Sequence, residues 1–369
     1  MTPDPGLAGW LQLALTPGLG PSTVRKLLRE FGLPQAVLAR RRSELAAYAS
    51  SAALEALDAT PVRQAVERSL EWAAQPNRFI VTLADEAYPR PLLEIADPPP
   101  LFYAWGRIEL LQKPALAIVG SRNATAQGVR NAEDFAKALS ESGLAIVSGL
   151  ALGIDAGAHR GGLAAGGSTI AVLGTGIDLV YPQRNAALAA EIAERGLLVS
   201  EFSLGTPAAA QNFPRRNRLI SGLGRGCLVI EAALASGSLI TARSAAEQGR
   251  EVFAVPGSIH SPLSKGCHAL IKSGAKLVEC AEDVLSELGA LHPAITASAD
   301  AAAAALDARR APGLLAHMGH DPVDVDALCA RAGLSPDQVS SELLRLELDG
   351  RITALPGGLF QRLEKARGA

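Results

Sequence analysis

From Pro114 onward the chain alternates uninterrupted apolar runs with longer segments of mixed, helical spacing. The runs are ALAIVG, LAIVSG, TIAVLG, LLVSEF, CLVIEA, EVFAVPG and AKLVEC; between them lie VRNAEDFAKALSESG, RNAALAAEIAERG and LITARSAAEQG. A strand that is Val, Ile, Leu and Ala throughout has no polar face, so it is buried on both sides. Strands of that kind joined by crossover helices lie side by side in a mostly parallel sheet. The pattern predicts an α/β fold of the doubly wound, Rossmann-like type.

Before that region the period changes. Residues 1–75 read as all-helical: in LALTPGLGPSTVRKLLREFG a helix runs into a Pro-Gly-x-Gly turn and a second helix, with Ser22 as its cap and Val24, Leu27, Leu28 and Phe31 as its apolar face. The turn resembles a helix-hairpin-helix, though a single hairpin is read first as a tight turn within a small helical domain. The stretch FIVTLADEAYPRPLLEIADPPPLFYAWG holds too many prolines for a long helix, and its strand-like ends are expected to pack against the following domain. Residues 289–311 are Ala-rich without a usable apolar spacing and read as a linker. Residues 312–369 show helix, Gly-containing turn, helix and then RITALPGGLFQR as a two-stranded wing, the pattern of a winged helix. The domains expected are therefore 1–75, 76–288, the linker 289–311 and 312–369.

Composition narrows the function. A net charge of −2 and a pI near 6.3 exclude a uniformly basic surface, though not a local basic groove. The four cysteines, Cys227, Cys267, Cys280 and Cys329, form no Cys-x-x-Cys pair and read as reduced thiols of a cytoplasmic protein. No apolar run is long enough for a membrane span, and the N-terminus lacks the basic start of a signal peptide. There is no GxxxxGK[ST], and no GxGxxG after the first strand of the α/β region, so neither an ATPase loop nor a dinucleotide cofactor is expected.

The candidate chemistry sits where the apolar runs end. Five successive strand ends carry Gly, Ser, Thr, Asn or Arg: VGSRNATAQG, SGLALGIDAGAH, GTGIDLVYPQRN, SEFSLGTPAAAQNFPRRNRLISG and EAALASGSLITA. In an open parallel sheet, ligands bind at this edge, and such turns aim N–H groups at anions. The fourth turn concentrates charge beside an aromatic ring. Phe213 is placed to stack on a base, Arg215, Arg216 and Arg218 to follow phosphates, and Asn217 to hold the loop. Asp155 and His159 are four apart at a helix start and read as a capping Asp and a packed His rather than an acid–base pair. Glu231 and Glu247 are the remaining carboxylates, with the structural roles of accepting loop N–H groups and of standing on a solvated helix face. No catalytic residue and no metal site is expected.

Together IVGSRNAT, SGLALGIDAGAH, AVLGTGIDLVYPQRN, SEFSLGT, FPRRNRLISGL, EAALASGSLITARSAAEQGREVFAVPG and GCHALIKSGA resemble the DNA-processing protein A (DprA/Smf) family over about residues 79–285. The resemblance implies an extended Rossmann-like core that dimerises. It implies a protein that binds incoming single-stranded DNA in natural transformation, protects it and loads RecA recombinase, with other single-strand-binding proteins among its partners. By this likeness the strand-binding residues are Gly120, Ser121, Arg122, Arg184, Asn185, Phe213, Arg215, Arg216, Asn217 and Arg218, and the strand-end reading adds Gly149, Ser238 and Thr241. Family members often carry Lys at the third place of the Tyr-Pro-x-x-Asn turn; here Gln183 stands there and Arg184 follows. The sheet also resembles nucleotide phosphoribohydrolases of the lysine-decarboxylase-like fold, but ASGSLITARSAAE lacks their Pro-Gly-Gly-x-Gly-Thr-x-x-Glu turn. A third reading, a transcription factor, is weakened by the single Arg and several acids of SPDQVSSELLRLELDG.

Overall fold

The computed structural model describes residues 5–166, 169–289, 314–318 and 322–363. The expected linker, apart from Gly289, lies outside them.

Six helices open the chain: α1 (Pro5–Leu15), α2 (Pro21–Phe31), α3 (Pro34–Leu38), α4 (Arg42–Leu45), α5 (Ser51–Ala56) and α6 (Thr60–Ala73). Val24 and Leu27 are buried, as their spacing predicts, among Leu13, Leu19, Val37 and Leu54. Ser22 is not the cap. The helix begins one residue earlier, at Pro21, with Gly20 in the capping position and no side-chain cap, because the fixed φ of proline already suits a first helical residue. Arg25 ties α2 to the rest of the molecule, with Nη2 2.5 Å from Asp97 and Nη1 donating to the Pro98 carbonyl at 2.8 Å.

Nine strands form one sheet: β1 (Arg78–Thr82), β2 (Leu101–Gly106), β3 (Ala115–Gly120), β4 (Ala145–Ser148), β5 (Thr169–Val172), β6 (Leu197–Ser200), β7 (Gly226–Ile230), β8 (Glu251–Ala254) and β9 (Lys276–Leu277). Their order is β1-β2-β6-β5-β4-β3-β7-β8-β9. All neighbours from β6 to β9 are parallel, whereas β2 runs antiparallel to β6, with Tyr103 opposite Ser200, and β1 antiparallel to β2. The proline-rich segment thus does more than pack against the core. Its two ends are the antiparallel strands that finish this side of the sheet, β1 at the edge and β2 next to it, and the prolines stay in the connection between them, where a missing N–H breaks no ladder.

Between the strands lie α7 (Arg90–Leu93), α8 (Ala126–Glu141), α9 (Ile154–Ala164), α10 (Ala186–Arg195), α11 (Asn212–Leu223), α12 (Ser238–Glu247) and α13 (Lys265–Lys272), and α14 (Ala281–Glu287) follows β9. Alternate residues of β3 serve opposite layers. Leu116 and Ile118 face Phe135 and Leu139 of α8 and Ile154 of α9, whereas Ala117 and Val119 face Leu219 and Ile220 of α11 and Leu239 of α12. Both faces are covered, which is why the strands carry no polar alternation.

The C-terminal unit packs Val323, Leu328, Val339, Leu343 and Ile352 around two helices, Val325–Ala332 and Pro336–Leu348. Gly333 between them sits at φ 68°, the left-handed turn that ends the first helix, and Ser335 caps the second. The wing, β11 (Ile352–Leu355) and β12 (Leu359–Arg362), gains a third strand from β10 (Val323–Asp324), in the order β10-β12-β11. The architecture is that of a winged helix.

Candidate nucleic-acid interface

The chain leaves β3 toward β4 on one side of the sheet, and β7, next to β3 on the other side, continues toward β8. Such a switch point opens a crevice at the carboxyl ends of the strands. A cleft of about 450 Å³ occupies it, lined among others by Gly120, Ser121, Arg122, Phe213, Arg216, Asn217, Ser238 and Thr241. Eight of the thirteen sequence-derived site residues therefore converge on one cavity, although Arg122 and Phe213 are far apart in the chain.

The turn after β3 is held by Glu231. Its backbone is left-handed at φ 51°, its carbonyl accepts the Ser121 N–H at 2.7 Å, and its carboxylate accepts Thr125 N–H at 2.8 Å and the Thr125 hydroxyl. Thr125 in turn caps α8 through Gly128 N–H at 2.9 Å. Glu231 thus has the loop-holding role the sequence suggested, and Glu247 is exposed. On the facing wall, α12 starts at Ser238 without an acidic first turn, so the positive end of its dipole opens on the cleft.

The arginine-rich stretch is not a loop. Asn212–Leu223 is the helix α11, and Leu219, Ile220 and Leu223 form its buried side. Pro214 falls in the first turn, where no intrahelical N–H is lost. Helical spacing then sends the arginines in different directions. Arg216 is only 4 % exposed; Nη1 donates to the carbonyls of Gly149, at 2.7 Å, and Val172, and Nε to Asn217 Oδ1 at 3.1 Å. Arg218 is ion-paired with Glu201 and lies 3.4 Å from Asp97. Arg215 is exposed, with its guanidinium 5.4 Å above the Phe202 ring. Of the three guanidinium groups expected to follow phosphates, that of Arg216 forms the cleft floor with its donors on carbonyls, that of Arg218 holds two carboxylates, and that of Arg215 faces another cavity.

Gly149 is where this floor requires a missing side chain, since a Cβ there would sit 2.7 Å from Arg216 Nη2. Asp155 lies beneath, its Oδ2 accepting Gly149 N–H at 3.1 Å and Ala151 N–H at 3.3 Å. Burial raises the pKa of Asp155, opposed by the Arg216 charge and these N–H groups. Burial also lowers that of Arg216, to about 10, which leaves it charged at neutral pH.

Phe213 does not stand free in solvent. The ring is half-buried, 5.7 Å from Tyr181 at 42°, with the Arg122 guanidinium 5.7 Å from its centroid. Its edge rests on Gly174, where a Cβ would come within 2.8 Å of it. Arg122 is exposed, as expected. Tyr181 is 53 % exposed and extends the aromatic surface at the mouth. Sequence reasoning did not single out Tyr181 itself; the signal was an aromatic residue in the Tyr-Pro-x-x-Asn turn. In that turn Arg184 is exposed, but Asn185 is buried, and its Nδ2 donates to Leu150 and Ala151 carbonyls at 2.8 and 3.1 Å. Asn185 braces the neighbouring loop from inside.

Asp155 and His159 have separate partners and form no catalytic pair. His159 Nε2 accepts Leu150 N–H at 3.3 Å, so Nδ1 carries the proton and donates to Thr169 Oγ1 at 2.8 Å. Burial, with the Arg216 charge, depresses its pKa from 6.5 to about 3. The folded state then binds fewer protons than the unfolded state between these values. This contribution to stability is full above pH 6.5 and is lost as pH falls. The slope it adds is up to about 1.4 kcal/mol per pH unit. Urea midpoints measured from pH 7 to pH 5 should fall more steeply for the wild type than for His159→Gln, whose amide keeps one donor and one acceptor; parallel curves would contradict the buried neutral imidazole.

A crevice of about 450 Å³ at the switch point of an open sheet, with a cationic floor, an exposed arginine and the Phe213 ring with Tyr181 beside it, marks a Rossmann-like protein with a candidate site for an anion with a flat face. Comparison with known proteins agrees. The family model for DNA recombination-mediator protein A matches residues 79–289, and that for the DprA winged helix domain matches residues 297–358. The chain belongs to the DNA recombination-mediator protein A (DprA/Smf) family. It is 46 % identical over 312 residues to Protein Smf of Escherichia coli, covering 82 % of each chain. It is 49 % identical over 206 residues to DNA processing protein DprA of Streptococcus pneumoniae, covering 56 % of this chain and 73 % of that one. The X-ray structure of DNA processing protein A from Streptococcus pneumoniae matches with a TM-score of 0.66 at 39 % identity, over 75 % of this chain and 95 % of the other. A structure of DNA processing protein A from Helicobacter pylori, from a study of its single-stranded DNA binding mode, matches with a TM-score of 0.52 at 30 % identity, over 57 % of this chain and 95 % of the other. Among the described residues no helix is long and apolar enough to cross a membrane.

Proposed function

We propose that this protein binds single-stranded DNA along the cleft between β3 and α12, protects the incoming strand during natural transformation and delivers it to RecA recombinase. The observation that carries the reading is the joint placement of Arg122 and Phe213 on one cleft, with Tyr181 packed beside the Phe213 ring. Arginine and helix N-termini hold phosphates of any sequence, and aromatic faces stack on any base. A duplex hides its base faces and offers nothing to the rings. The binding mode studied for the Helicobacter pylori relative supports the same substrate.

The carboxylates support a binder rather than a hydrolase. Both oxygens of Glu231 are taken by Thr125, and Asp155 Oδ2 accepts two loop N–H groups, so each carboxylate serves to hold a loop. A homodimer, RecA and other single-strand-binding proteins are the partners this reading implies, in the cytoplasm.

Mobility shift with one sequence in single- and double-stranded form tests it, without ATP. The expected result is preference for the single strand that persists as salt is raised. Equal affinity for a blunt duplex would remove the role of the aromatic mouth and the reading with it.

A further inference from the structure

The cleft between β3 and α12 carries hydrogen-bond donors that the fold leaves unspent. Arg216 uses Nε on Asn217 and Nη1 on two carbonyls, while its Nη2 donates to none of the described residues and remains accessible at the cleft, although the residue is 4 % exposed. Thr241 of α12 is 1 % exposed, and its hydroxyl also meets no partner among the described residues and stays open to the cleft. Ser121, 8 % exposed on the facing wall, accepts Asn123 N–H at 3.2 Å and keeps its own hydrogen to give. Asn217 Oδ1 is taken by Arg216 Nε, which leaves Nδ2 as a further donor on the lining. Buried donors are left open at a cost that the acceptors of a ligand remove. The start of α12 contributes less. Ser238 N–H is bonded to Ser236 Oγ, and those of Leu239 and Ile240 to the Ser236 and Gly237 carbonyls.

Charge points to an anion. The guanidinium carbons of Arg122 and Arg216 lie 5.7 and 6.0 Å from the centroid of the one Phe213 ring. Burial and then the Arg122 charge lower the pKa of Arg216 to about 10, against the Asp155 charge, so the two cations repel across the cleft. Asp155 is the one carboxylate on the lining among the described residues, and its Oδ2 already accepts two loop N–H groups. The donor set and the enclosure separate two kinds of phosphate. Inside a strand a phosphate is a diester with two free oxygens; at a strand end it is a monoester with three, and with nearly twice the charge at neutral pH. Four donor groups from three elements suit the monoester. The walls come from the turn after β3, the starts of α9 and α11 and the segment between β7 and α12. A strand placing an internal phosphate on the floor would have to turn back through the mouth, whereas a strand that ends there enters once. We propose that the floor of this cleft seats a terminal phosphate of the strand, held by Arg216 Nη2, Thr241, Ser121 and Asn217, with the last base on Phe213. The inference rests on the single-strand reading and adds that the protein takes the strand by a phosphorylated end.

Fluorescence anisotropy with the full chain and short oligothymidylates, labelled on an internal thymine, tests this. The strands have hydroxyls at both ends, a 5′-phosphate or a 3′-phosphate, and a hydroxyl-ended strand longer by one nucleotide supplies an extra diester as a charge control. One phosphorylated strand should bind about ten-fold more tightly than the hydroxyl-ended strand of equal length, the size of a hydrogen bond to a charged group. The end that gains gives the polarity. Thr241→Val removes the hydroxyl and should cut this ratio several-fold, and Thr241→Ser should restore it, with circular dichroism as the check on fold. The wild-type ratio decides the proposal whether or not the variants fold. Equal affinity for phosphorylated and hydroxyl-ended strands, a gain matched by the longer strand, or a ratio unchanged in a folded Thr241→Val each overturn the proposal, while a preference for single strand over duplex would still stand. A wild type that binds none of the strands overturns the single-strand reading and this inference together.

Discussion

Arg216→Ala should be among the most damaging single changes in the sheet domain, and it should act on stability before it acts on DNA. The guanidinium is buried, fills the space that Gly149 leaves open, and satisfies the carbonyls of Gly149 and Val172 at the ends of two neighbouring strand-to-loop junctions. Its charge opposes the desolvation of Asp155. Removing one member of a buried charge pair typically costs 3–5 kcal/mol, because the other is left uncompensated, and stranded carbonyls add to that. A fall in Tm on the order of 10 °C follows for a domain of this size. Adding Asp155→Asn to the Ala variant should recover part of the loss, since the stranded charge is then gone; such neighbours couple by about 0.5–3 kcal/mol. Thermal melts of the two single variants and the double variant measure this. A loss below about 1 kcal/mol for Arg216→Ala would mean that this arginine turns toward solvent and DNA rather than into the floor.

Phe213→Ala should show the largest effect on DNA without loss of fold, weakening single strands of every sequence by about 1–3 kcal/mol, from several-fold to over a hundred-fold. Stacking releases few ions, so the salt dependence should remain nearly that of the wild type. Arg122→Ala should behave differently. Each phosphate that the protein no longer neutralises lowers the slope of log K against log salt by about 0.7 for a single strand, so the slope flattens. Because Arg122 lies over the Phe213 ring and Tyr181 packs beside it, the double variant should lose less than the sum of the single variants. Arg122 is exposed and Phe213 half-buried, so the melting temperature should change little for the first and modestly for the second. Affinity measured by anisotropy across a salt series separates the two roles. An unchanged slope and affinity for Arg122→Ala would place the strand on another edge of the sheet.

The sheet was legible because its strands are buried on both faces: nothing polar interrupts ALAIVG or CLVI, and the Gly-rich turns mark strand ends. The convergence of Ser121, Arg122, Phe213 and Thr241 on one cleft followed from the rule that strand ends of such a sheet share an edge. Other parts depend on tertiary context. Arg216 looks like a surface residue in sequence, and only folding brings two unpaired carbonyls to its guanidinium. An Arg-rich run containing Pro214 reads as a loop unless the buried Leu219, Ile220 and Leu223 are weighed as a helix face. Arg218 and Asn185 read as ligand-binding residues in sequence because their chemistry suits a phosphate or a base. Their partners, Glu201 for one and the carbonyls of Leu150 and Ala151 for the other, are non-local, which composition and spacing do not reveal. The antiparallel pairing of β1 with β2 at this side of the sheet was hidden by the prolines between them.

The central claim is that the strand passes over the Phe213–Tyr181 mouth. Photocrosslinking a single-stranded oligonucleotide substituted with 5-iododeoxyuridine tests it directly, since the excited base joins the aromatic side chain on which it stacks. Mass spectrometry of the digested adduct should place the link on Tyr181 or Phe213, and the yield should drop in Phe213→Ala. Adducts confined to the winged helix, with none in the peptides that carry Tyr181 and Phe213, would contradict the account.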